Sequence, residues 1–392
     1  MGNPVQRHYG LDWLRIGAFA ILILYHVGMV FVPWDFHAKL PGAWWVAVPM
    51  MASNPWRLSL LFVVSGYASR ALLKRNATAG KFARQRSLRL LVPLAFGVAL
   101  VVPPQPWVEL TSKYGYAHGF AHFYVHDYFR FGAVGPIVLP TWNHLWFVGY
   151  LWCYSMALAL LVGALPAAVR RGVQRGFDRV ARGPALLVVP LGWMVLVNFI
   201  LFPGGRETHA LAGDWVAHFS YLPAFLFGFG MAAAPATLAD LRRWWPASAG
   251  IALLAYAVVA GIELRWPGGT MPRPFGTIFS VARAVEGWTA VAALIGFADR
   301  HWNRDHRWRP MLTEAVFPFY IIHQTAIVLG AWWLMGAGLP AWADFVLLVA
   351  ATIASCLAFY FGGRAVPWLR PLIGLRRHAS RRTHVDPRPA IV

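Results

Sequence analysis

Charged residues are scarce in this chain, and acidic residues are the scarcest of them. Only 13% of the 392 residues are Asp, Glu, Lys or Arg, about half the share found in ordinary soluble domains. So little charge excludes an ordinary soluble globular protein. Hydrophobic residues make up 58% of the chain and stand in long runs, which predicts an all-α polytopic membrane protein embedded in a lipid bilayer.

Cysteine is nearly absent as well. The only two, Cys153 and Cys356, lie inside apolar runs, which excludes a disulfide framework. We expect no removable signal peptide, because the first apolar run is long, contains a histidine and lacks a small-residue cleavage site. No internal repeat is visible in the sequence.

Ten apolar segments approach the roughly 20 residues that a helix needs to cross a bilayer. We expect them at about 13–33, 57–73, 88–107, 144–164, 184–203, 215–235, 247–265, 277–297, 312–333 and 342–366. Prolines crowd the third segment, which makes it the least regular. One membrane domain, residues 1–372, would contain all ten, and residues 373–392 are expected to form a basic, disordered tail in the cytoplasm.

The net charge of +20 does not indicate a nucleic-acid partner, because the basic residues are distributed according to the order of the predicted spans. Most of the Lys and Arg residues fall in alternate connections. The opposite connections are assigned only Lys39, Arg57, Lys113, Arg130, Arg206, Arg265 and Arg273. Since basic residues favour the cytoplasmic side of a membrane, both termini are predicted to be cytoplasmic.

The first predicted span contains two ionisable residues, Arg15 and His26. Eleven residues of helix return to within about 20° of the starting direction and rise about 16 Å, so the two share one face. A charge inside a bilayer is costly, and such residues usually face a polar cavity. A neutral imidazole at mid-depth is a candidate general base, and a helix-packing histidine bonded to a carbonyl is the alternative.

Two arginines, Arg86 and Arg89, stand three residues apart at the cytoplasmic entry of the third span. They therefore neighbour each other on one helical face. Two adjacent guanidinium groups suit a phosphate-bearing ligand, and simple orientation charge is the alternative.

Two more histidines fall in spans. His144 stands at the outer end of the fourth span among tryptophans that include Trp146, and His323 stands near the middle of the ninth, beside Gln324. An interfacial aromatic belt explains the tryptophans better than the histidine. His26 and His323 are expected to line one cavity from different helices.

In the eighth span, Arg283 and Glu286 are three residues apart, which predicts an intramembrane ion pair. Such a pair either joins helices or orients a ligand.

The outer connection contains His118, His122 and His126 at a spacing of four. One face of three histidines is compatible with a metal site. An interfacial amphipathic helix is the favoured interpretation, and no metal is expected.

Five motifs occur in order along the chain: Arg15 and His26 in the first span, "LLFVVSGY" at 60–67, Arg-x-x-Arg at 86–89, "HLWFVGYLW" at 144–152, and "FPFYIIHQ" at 317–324. Together they resemble the integral membrane acyltransferase-3 family. Within it, "YGLDWLR" and "HLWFVGYLW" look most like the branch that contains glucan biosynthesis protein C.

The resemblance implies transfer of an acyl group from cytoplasmic acyl-coenzyme A to a hydroxyl of an extracytoplasmic glycan or another acceptor. It also implies a bacterial-type inner membrane, no permanently bound cofactor, and succinyl or acetyl as the acyl group. His26 then resembles the catalytic histidine, with Arg15 and His323 as further catalytic candidates. Arg15, Arg86 and Arg89 resemble donor-side groups.

His26 would remove the proton of the acceptor hydroxyl, and an acyl-histidine intermediate is an open alternative. Ser65, Tyr25 and Arg283 are candidate donors to the oxyanion. The residues expected to bind substrate are His144, Trp146, Glu286, Arg283 and Ser65. Some relatives carry an additional extracytoplasmic hydrolase-like domain, so this ten-span unit either acts alone or works with a separate glycan-synthesis partner.

Two functions of other classes compete with the enzyme. A secondary transporter would use the intramembrane His, Arg and Glu residues as a proton relay, but its usual repeated halves are not visible. A noncatalytic assembly partner of a glycan synthase would keep its full function when His26 is replaced by Asn.

Overall fold

The computed structural model describes residues 8–76 and 78–376, so the predicted tail lies outside the described residues from position 377 onward. Within these ranges the chain forms fourteen α-helices and one antiparallel hairpin. The helices are α1 Tyr9–Met29, α2 Ala47–Met51, α3 Asn54–Arg75, α4 Ala79–Phe96, α5 Pro104–Tyr114, α6 Phe120–His122, α7 Trp146–Ala164, α8 Ala167–Val180, α9 Ala185–Val195, α10 Trp215–Met231, α11 Pro235–Arg265, α12 Arg273–Phe297, α13 Arg309–Leu334 and α14 Ala341–Ala365. The strands are β1 Gly132–Val134 and β2 Ile137–Leu139.

Short irregular helical turns extend several of these helices. Turns with π-helical geometry continue α4, α6, α9 and α12 over Gly97–Val101, Phe123–Asp127, Leu196–Leu201 and Ala298–Trp302. Turns of 3₁₀ helix cover Trp44–Val46, Asn143–Leu145 and Pro267–Gly269.

Every predicted span coincides with a helix. Seven helices in the described ranges are long and apolar enough to cross a membrane, and an eighth candidate is the pair α8 and α9, which bend by 102° at the break between them. The other two predicted spans are α3, which carries several basic residues, and α10, which has 17 residues. The all-α, multi-pass membrane architecture is therefore confirmed.

The proline-rich third span stays helical for a local reason. Pro104 stands in the first turn of α5. Backbone N–H groups in a first turn have no partner within the helix, so the missing N–H of proline costs no hydrogen bond there. The π-helical turn before it absorbs the change of direction. As a result, α4 and α5 form one long apolar segment from residue 79 to 114.

Close helix contacts depend on glycine. A Cβ built on Gly66 of α3 would lie 1.9 Å from the carbonyl oxygen of Phe225, and one built on Gly228 of α10 would lie 1.9 Å from that of Val63. The two backbones therefore approach as closely as small residues permit. This contact fixes α3 against α10, and both helices supply walls of the site described next.

Candidate active site

The centre of the site is a pair of histidines on two neighbouring helices. His26 of α1 and His323 of α13 face each other with Nδ1 of the first 2.8 Å from Nε2 of the second. Their rings are nearly parallel, at an interplanar angle of 19°. His323 is fully buried, whereas His26 is half-buried.

The hydrogen bonds of this pair determine which nitrogen of each neutral ring carries the proton. His323 Nδ1 lies 2.8 Å from the carbonyl oxygen of Tyr320; because a carbonyl only accepts, Nδ1 is the protonated atom. His323 Nε2 is then an acceptor, so His26 donates from Nδ1. This assignment leaves His26 Nε2 with a lone pair, and no hydrogen-bond partner for it is found in the described part of the chain.

His26 lines a polar cavity of about 470 Å³. The helices and the turn before α7 contribute His26, Asn54, Arg57, His144, Trp146, Asn198, Ser220, Tyr221 and Tyr320. The connection between α9 and α10 contributes Arg206, Glu207 and His209. Polar groups surrounding a base inside a membrane domain provide a place where a hydroxyl compound can bind and react.

Arg57 is a site residue that the sequence assignment missed. The charge distribution assigns it to an outer connection, but it lies in α3 with an exposed fraction of 4%. Its guanidinium stands over the ring of Tyr25 at 3.8 Å, and Nη1 donates to the hydroxyl of Ser53 at 3.3 Å. A buried guanidinium beside the base is a ready anion-binding group. Its position directly after Pro55 and Trp56, at the start of an apolar run, was the available signal.

His144 is buried and is held by the protein on both ring nitrogens. Nε2 lies 3.1 Å from the carbonyl oxygens of both Tyr320 and Ile321, and the side-chain nitrogen of Gln105 approaches Nδ1 at 3.5 Å. The Tyr320 hydroxyl donates to the His144 carbonyl in return. These bonds join the start of α7 to the segment of α13 that precedes His323.

A buried amide, Gln105, connects this group to its neighbours. It donates to the hydroxyl of Thr325 at 2.7 Å, and its oxygen accepts from Asn143 at 2.9 Å and from Gln324 at 3.0 Å. Fully bonded buried amides fix side chains in one arrangement. Gln105 stands in α5 and had no sequence signal apart from its place between prolines.

The network continues to the surface of the protein through charged residues. Gln324 donates to His37 at 3.1 Å, and His37 donates to the Glu109 carboxylate at 2.5 Å. Glu109 pairs with Lys113 at 3.2 Å, and Lys113 pairs with the exposed Asp35 at 2.6 Å. The loop after α1 is thereby attached to α5 and α13.

The connection between α9 and α10 covers the cavity and is held by Asp214, the N-cap of α10. Asp214 accepts hydrogen bonds from the Tyr150 hydroxyl at 2.7 Å and from the His209 amide at 2.8 Å. Burial opposes ionisation here, but these hydrogen bonds prevail and hold the pKa of Asp214 below its ordinary value. The ring of His209 stacks on Trp146 at 4.1 Å, so the cover is packed directly onto the cavity wall.

A scan of the chain against protein families matches the acyltransferase domain of the acyltransferase-3 family over residues 8–361. The chain belongs to the acyltransferase-3 family. No curated protein and no solved structure matches it. This acyltransferase is therefore a membrane enzyme that transfers acyl groups other than aminoacyl groups, and the histidine pair and its cavity lie within the matched region.

In the acyltransferase, the three arginines predicted to bind the acyl donor lie away from this cavity. Arg15 donates to the carbonyl of Thr313 at 3.3 Å, and Arg86 donates through Nε to the hydroxyl of Ser155 at 3.0 Å. Arg86 Nη2 is buried without a hydrogen-bond partner among the described residues, whereas Arg89 is exposed. Across the described ranges, these three arginines do not line the His26 cavity.

The predicted ion pair between Arg283 and Glu286 is wrong as a direct contact. Arg283 donates to the side-chain oxygen of Asn54 instead. Both Glu286 carboxylate oxygens are buried and lack a hydrogen-bond partner within the described part of the chain. Arg283 thus does not line the cavity itself but contacts Asn54, which does.

Two other predicted groups lie apart from the cavity. Ser65 is half-buried in α3 and does not contribute to the described cavity wall. The rings of His118, His122 and His126 stack in sequence at 4.2 and 4.7 Å, but α6 has only three residues and continues as a π-helical turn. Among the residues described, no group of three or more His, Cys, Asp or Glu is arranged to hold a metal ion.

The segment that contains these histidines is fixed by another residue pair. The hydroxyl of Tyr116 donates to the Asp127 carboxylate. Burial, together with this bond, raises the pKa of Tyr116 to about 12. This bond holds the segment against the end of α5.

Proposed function

We propose that this acyltransferase moves a succinyl or acetyl group from cytoplasmic acyl-coenzyme A to a hydroxyl of an extracytoplasmic glycan, with His26 as the general base. The observation that carries the proposal is the bond from His26 Nδ1 to His323 Nε2. It leaves the unprotonated Nε2 on a ring that lines a polar cavity. His323 acts as the positioning residue because its own proton is committed to Tyr320.

In the reaction, His26 Nε2 accepts the hydroxyl proton as the acceptor oxygen attacks the thioester carbonyl carbon. A carbon–oxygen bond forms, and the carbonyl electrons move onto its oxygen. Collapse of this tetrahedral intermediate breaks the carbon–sulfur bond, and the imidazolium gives its proton to the departing thiolate. The products are an ester and free coenzyme A, and the histidine returns to its starting state.

Arg57 is the group best suited to stabilise the intermediate. It lines the same cavity as His26, and only part of its donor capacity is used by Ser53. A preorganised cation near developing negative charge is among the largest contributions to enzymatic rate. Arg57 therefore replaces Ser65, Tyr25 and Arg283 as the leading oxyanion donor.

The acceptor is proposed to be a glycan because of the cavity's composition. Asn54, Arg206, Glu207 and Tyr221 present amide, guanidinium, carboxylate and phenol groups. Several donors and acceptors in one pocket suit a ligand with many hydroxyl groups. The motifs similar to those of the glucan biosynthesis protein C branch favour a glucan and a succinyl donor.

The donor is proposed to be held by Arg86 and Arg89 of α4, with Arg15 of α1 as a further donor-side group. Arg86 retains a buried donor atom without a hydrogen-bond partner in the described ranges, and the two arginines are one turn apart on α4. The phosphates of coenzyme A suit such a pair. The thin pantetheine arm would then have to reach His26 between α1, α4 and α13.

The family resemblance favours a bacterial-type inner membrane, and the distribution of basic residues favours an orientation with both termini in the cytoplasm. We propose a separate glycan-synthesis protein as the partner that completes the modification. A reporter fused after Arg175, in α8, should behave as cytoplasmic. An external signal there would overturn the orientation and with it the assignment of donor and acceptor sides.

The test of the function is transfer of label from succinyl- and acetyl-coenzyme A to a panel of glycans, in membranes carrying the wild type or His26→Ala. We expect labelled glycan with the wild type and none with the variant. His126→Ala is the matched control, because it removes an exposed histidine outside the cavity. Label that persists without His26, or no label on any acceptor although the protein is folded, would refute the proposal.

A further inference from the structure

A second and larger space lies on the other side of α10 from the histidine pair. It is a groove of about 1340 Å³ bounded by α3, α7, α8, α9 and α10. Aliphatic and aromatic side chains form most of its wall, among them Leu158, Val189, Trp193 and Leu226. An apolar groove of this size in a membrane domain suits hydrocarbon chains. If the groove were empty, the side chains that line it would lose van der Waals contacts, and lipid chains restore those contacts.

One end of the groove is strongly basic. Arg70 and Lys74 near the end of α3, and Arg170 and Arg171 in the first half of α8, line it together. Arg70 donates to Gln174 of α8 at 2.7 Å, which fixes α8 across this end, and Arg170 donates to the Val162 carbonyl at 3.0 Å. None of the four forms a salt bridge with a described acidic residue.

The other end of the groove reaches the catalytic cavity. Asn198 and Ser220 line both spaces. Along α3 the groove runs from Ser59 to Lys74, a rise of about 22 Å at 1.5 Å per residue. That length exceeds the roughly 15 Å of one hydrocarbon leaflet, half of a typical bilayer core.

We propose that this groove is a binding site for an anionic glycerophospholipid of the cytoplasmic leaflet. The phosphate of the headgroup lies among Arg70, Lys74, Arg170 and Arg171, and the acyl chains run along the apolar wall toward Asn198 and Ser220. Charge complementarity selects the headgroup, and the length and lining of the groove select the chains. The basic end is on the side that the distribution of Lys and Arg assigns to the cytoplasm.

A lipid in this place completes the wall between the catalytic cavity and the bilayer. The helix α9 meets α8 at a 102° bend, and the lipid chains fill the space between α9 and α10. We therefore expect bound lipid to raise the thermal stability of the protein.

The experiment is a titration of delipidated, purified full-length protein with phosphatidylglycerol or phosphatidylcholine of identical chains, followed by native mass spectrometry and thermal unfolding. The test variant is Arg170→Gln with Arg171→Gln. The matched control is Arg175→Gln with Arg179→Gln, which removes two charges from the same helix at positions outside the groove.

We expect phosphatidylglycerol to bind the wild type and the control alike, and to bind the test variant about 25-fold more weakly, from two headgroup contacts of ordinary strength. Glycerol phosphate, which lacks chains, should not displace it. Equal binding of the two lipids, equal weakening in both double variants, or displacement by glycerol phosphate would each overturn the proposal.

A second variant tests the apolar part of the site. Val189→Trp fills the groove from α9, where the Val189 side chain is 49% exposed, and leaves all four basic residues in place. It should abolish lipid-dependent stabilisation while the protein stays folded; unchanged binding would contradict the proposed path of the chains. Both readouts are independent of acyl transfer, so they hold or fail separately from the proposed function.

Discussion

His26 and His323 are separated by 297 positions in the chain, yet their rings meet at a nitrogen–nitrogen distance of 2.8 Å. The contact joins α1 to α13 inside the bundle, and Arg15 joins the same two helices through the carbonyl of Thr313. In this pair His26 donates its Nδ1 proton to His323 Nε2. The Nε2 atom of His26 therefore keeps a lone pair that can accept a proton.

His323→Phe should lower kcat for acyl transfer by about 10²- to 10⁴-fold, the range for loss of effective acid–base catalysis. Phenylalanine fills the space but offers no acceptor to His26 Nδ1. His323→Gln retains an acceptor oxygen and should keep more activity. The check is steady-state kinetics of both variants, with KM for the acyl donor unchanged. A Phe variant as active as the wild type would show that His323 does not position the base.

Arg57→Gln should lower kcat by about 10²- to 10³-fold, as expected when a preorganised oxyanion donor is lost. Arg57→Lys should recover part of the rate because it keeps the charge but not the planar fork. Thermal unfolding of both variants separates catalysis from the loss of the contact with Tyr25. An unchanged kcat in a folded Gln variant would remove Arg57 from the mechanism.

The joint replacement Arg86→Gln and Arg89→Gln should weaken coenzyme A binding by about 10- to 100-fold, from the loss of hydrogen bonds to charged phosphate. Arg84→Gln is the matched control, because Arg84 is an exposed arginine on the same helix. Equilibrium binding of coenzyme A to purified protein gives the answer directly. Equal affinity in the double variant and the wild type would reject the donor role of these arginines.

Gly66→Ala should destabilise the protein by about 1–3 kcal/mol or more, the range for overpacking. The new methyl group would lie 1.9 Å from the Phe225 carbonyl oxygen, so α3 and α10 must separate. Gly250→Ala in α11 is the control, since a Cβ there meets nothing within 4 Å. Thermal unfolding in detergent compares the two. A Gly66 variant as stable as the control would mean that the two helices are not fixed by this contact.

Asp214→Asn should destabilise the cover of the cavity by about 1–3 kcal/mol near neutral pH, through weakened bonds from Tyr150 and His209. The folded-state pKa of Asp214 is lowered, so the carboxylate contributes fully above the ordinary value near 3.8 and loses its contribution as the pH falls through the lowered pKa. Unfolding of wild type and variant between pH 3 and pH 7 measures this. A stability difference that stays constant down to the lowest pH would exclude ionised Asp214 as the cause.

Sequence reasoning placed the helices well and the site only in part. Lipid requires each crossing segment to satisfy its own backbone hydrogen bonds, so apolar length locates helices directly. Helical spacing also put Arg15 and His26 on one face, and both face α13 in the fold. The same spacing argument failed for Arg283 and Glu286, because side-chain direction is decided by neighbours such as Asn54.

Arg57 and Gln105 show what spacing does not reveal. Each is a single polar residue near prolines, and neither has a companion at helical spacing that would indicate a site. Arg57 belongs to the cavity because α3 packs tightly on α10, and Gln105 joins the network because α5 lies beside α13. Residues of the cover, such as His209, had no periodic pattern at all.

Sequence patterns alone identify a multi-pass helical membrane protein, the positions of its helices, and the face of α1 that carries Arg15 and His26. These properties are local, since they follow from apolar length and from helical periodicity. The packing of the helices in three dimensions brings His26 against His323, adds Arg57 to their cavity, and leaves Arg86 and Arg89 apart from it. Periodicity gives each helix a polar face, but the packing of helices distant in the chain determines which polar faces meet.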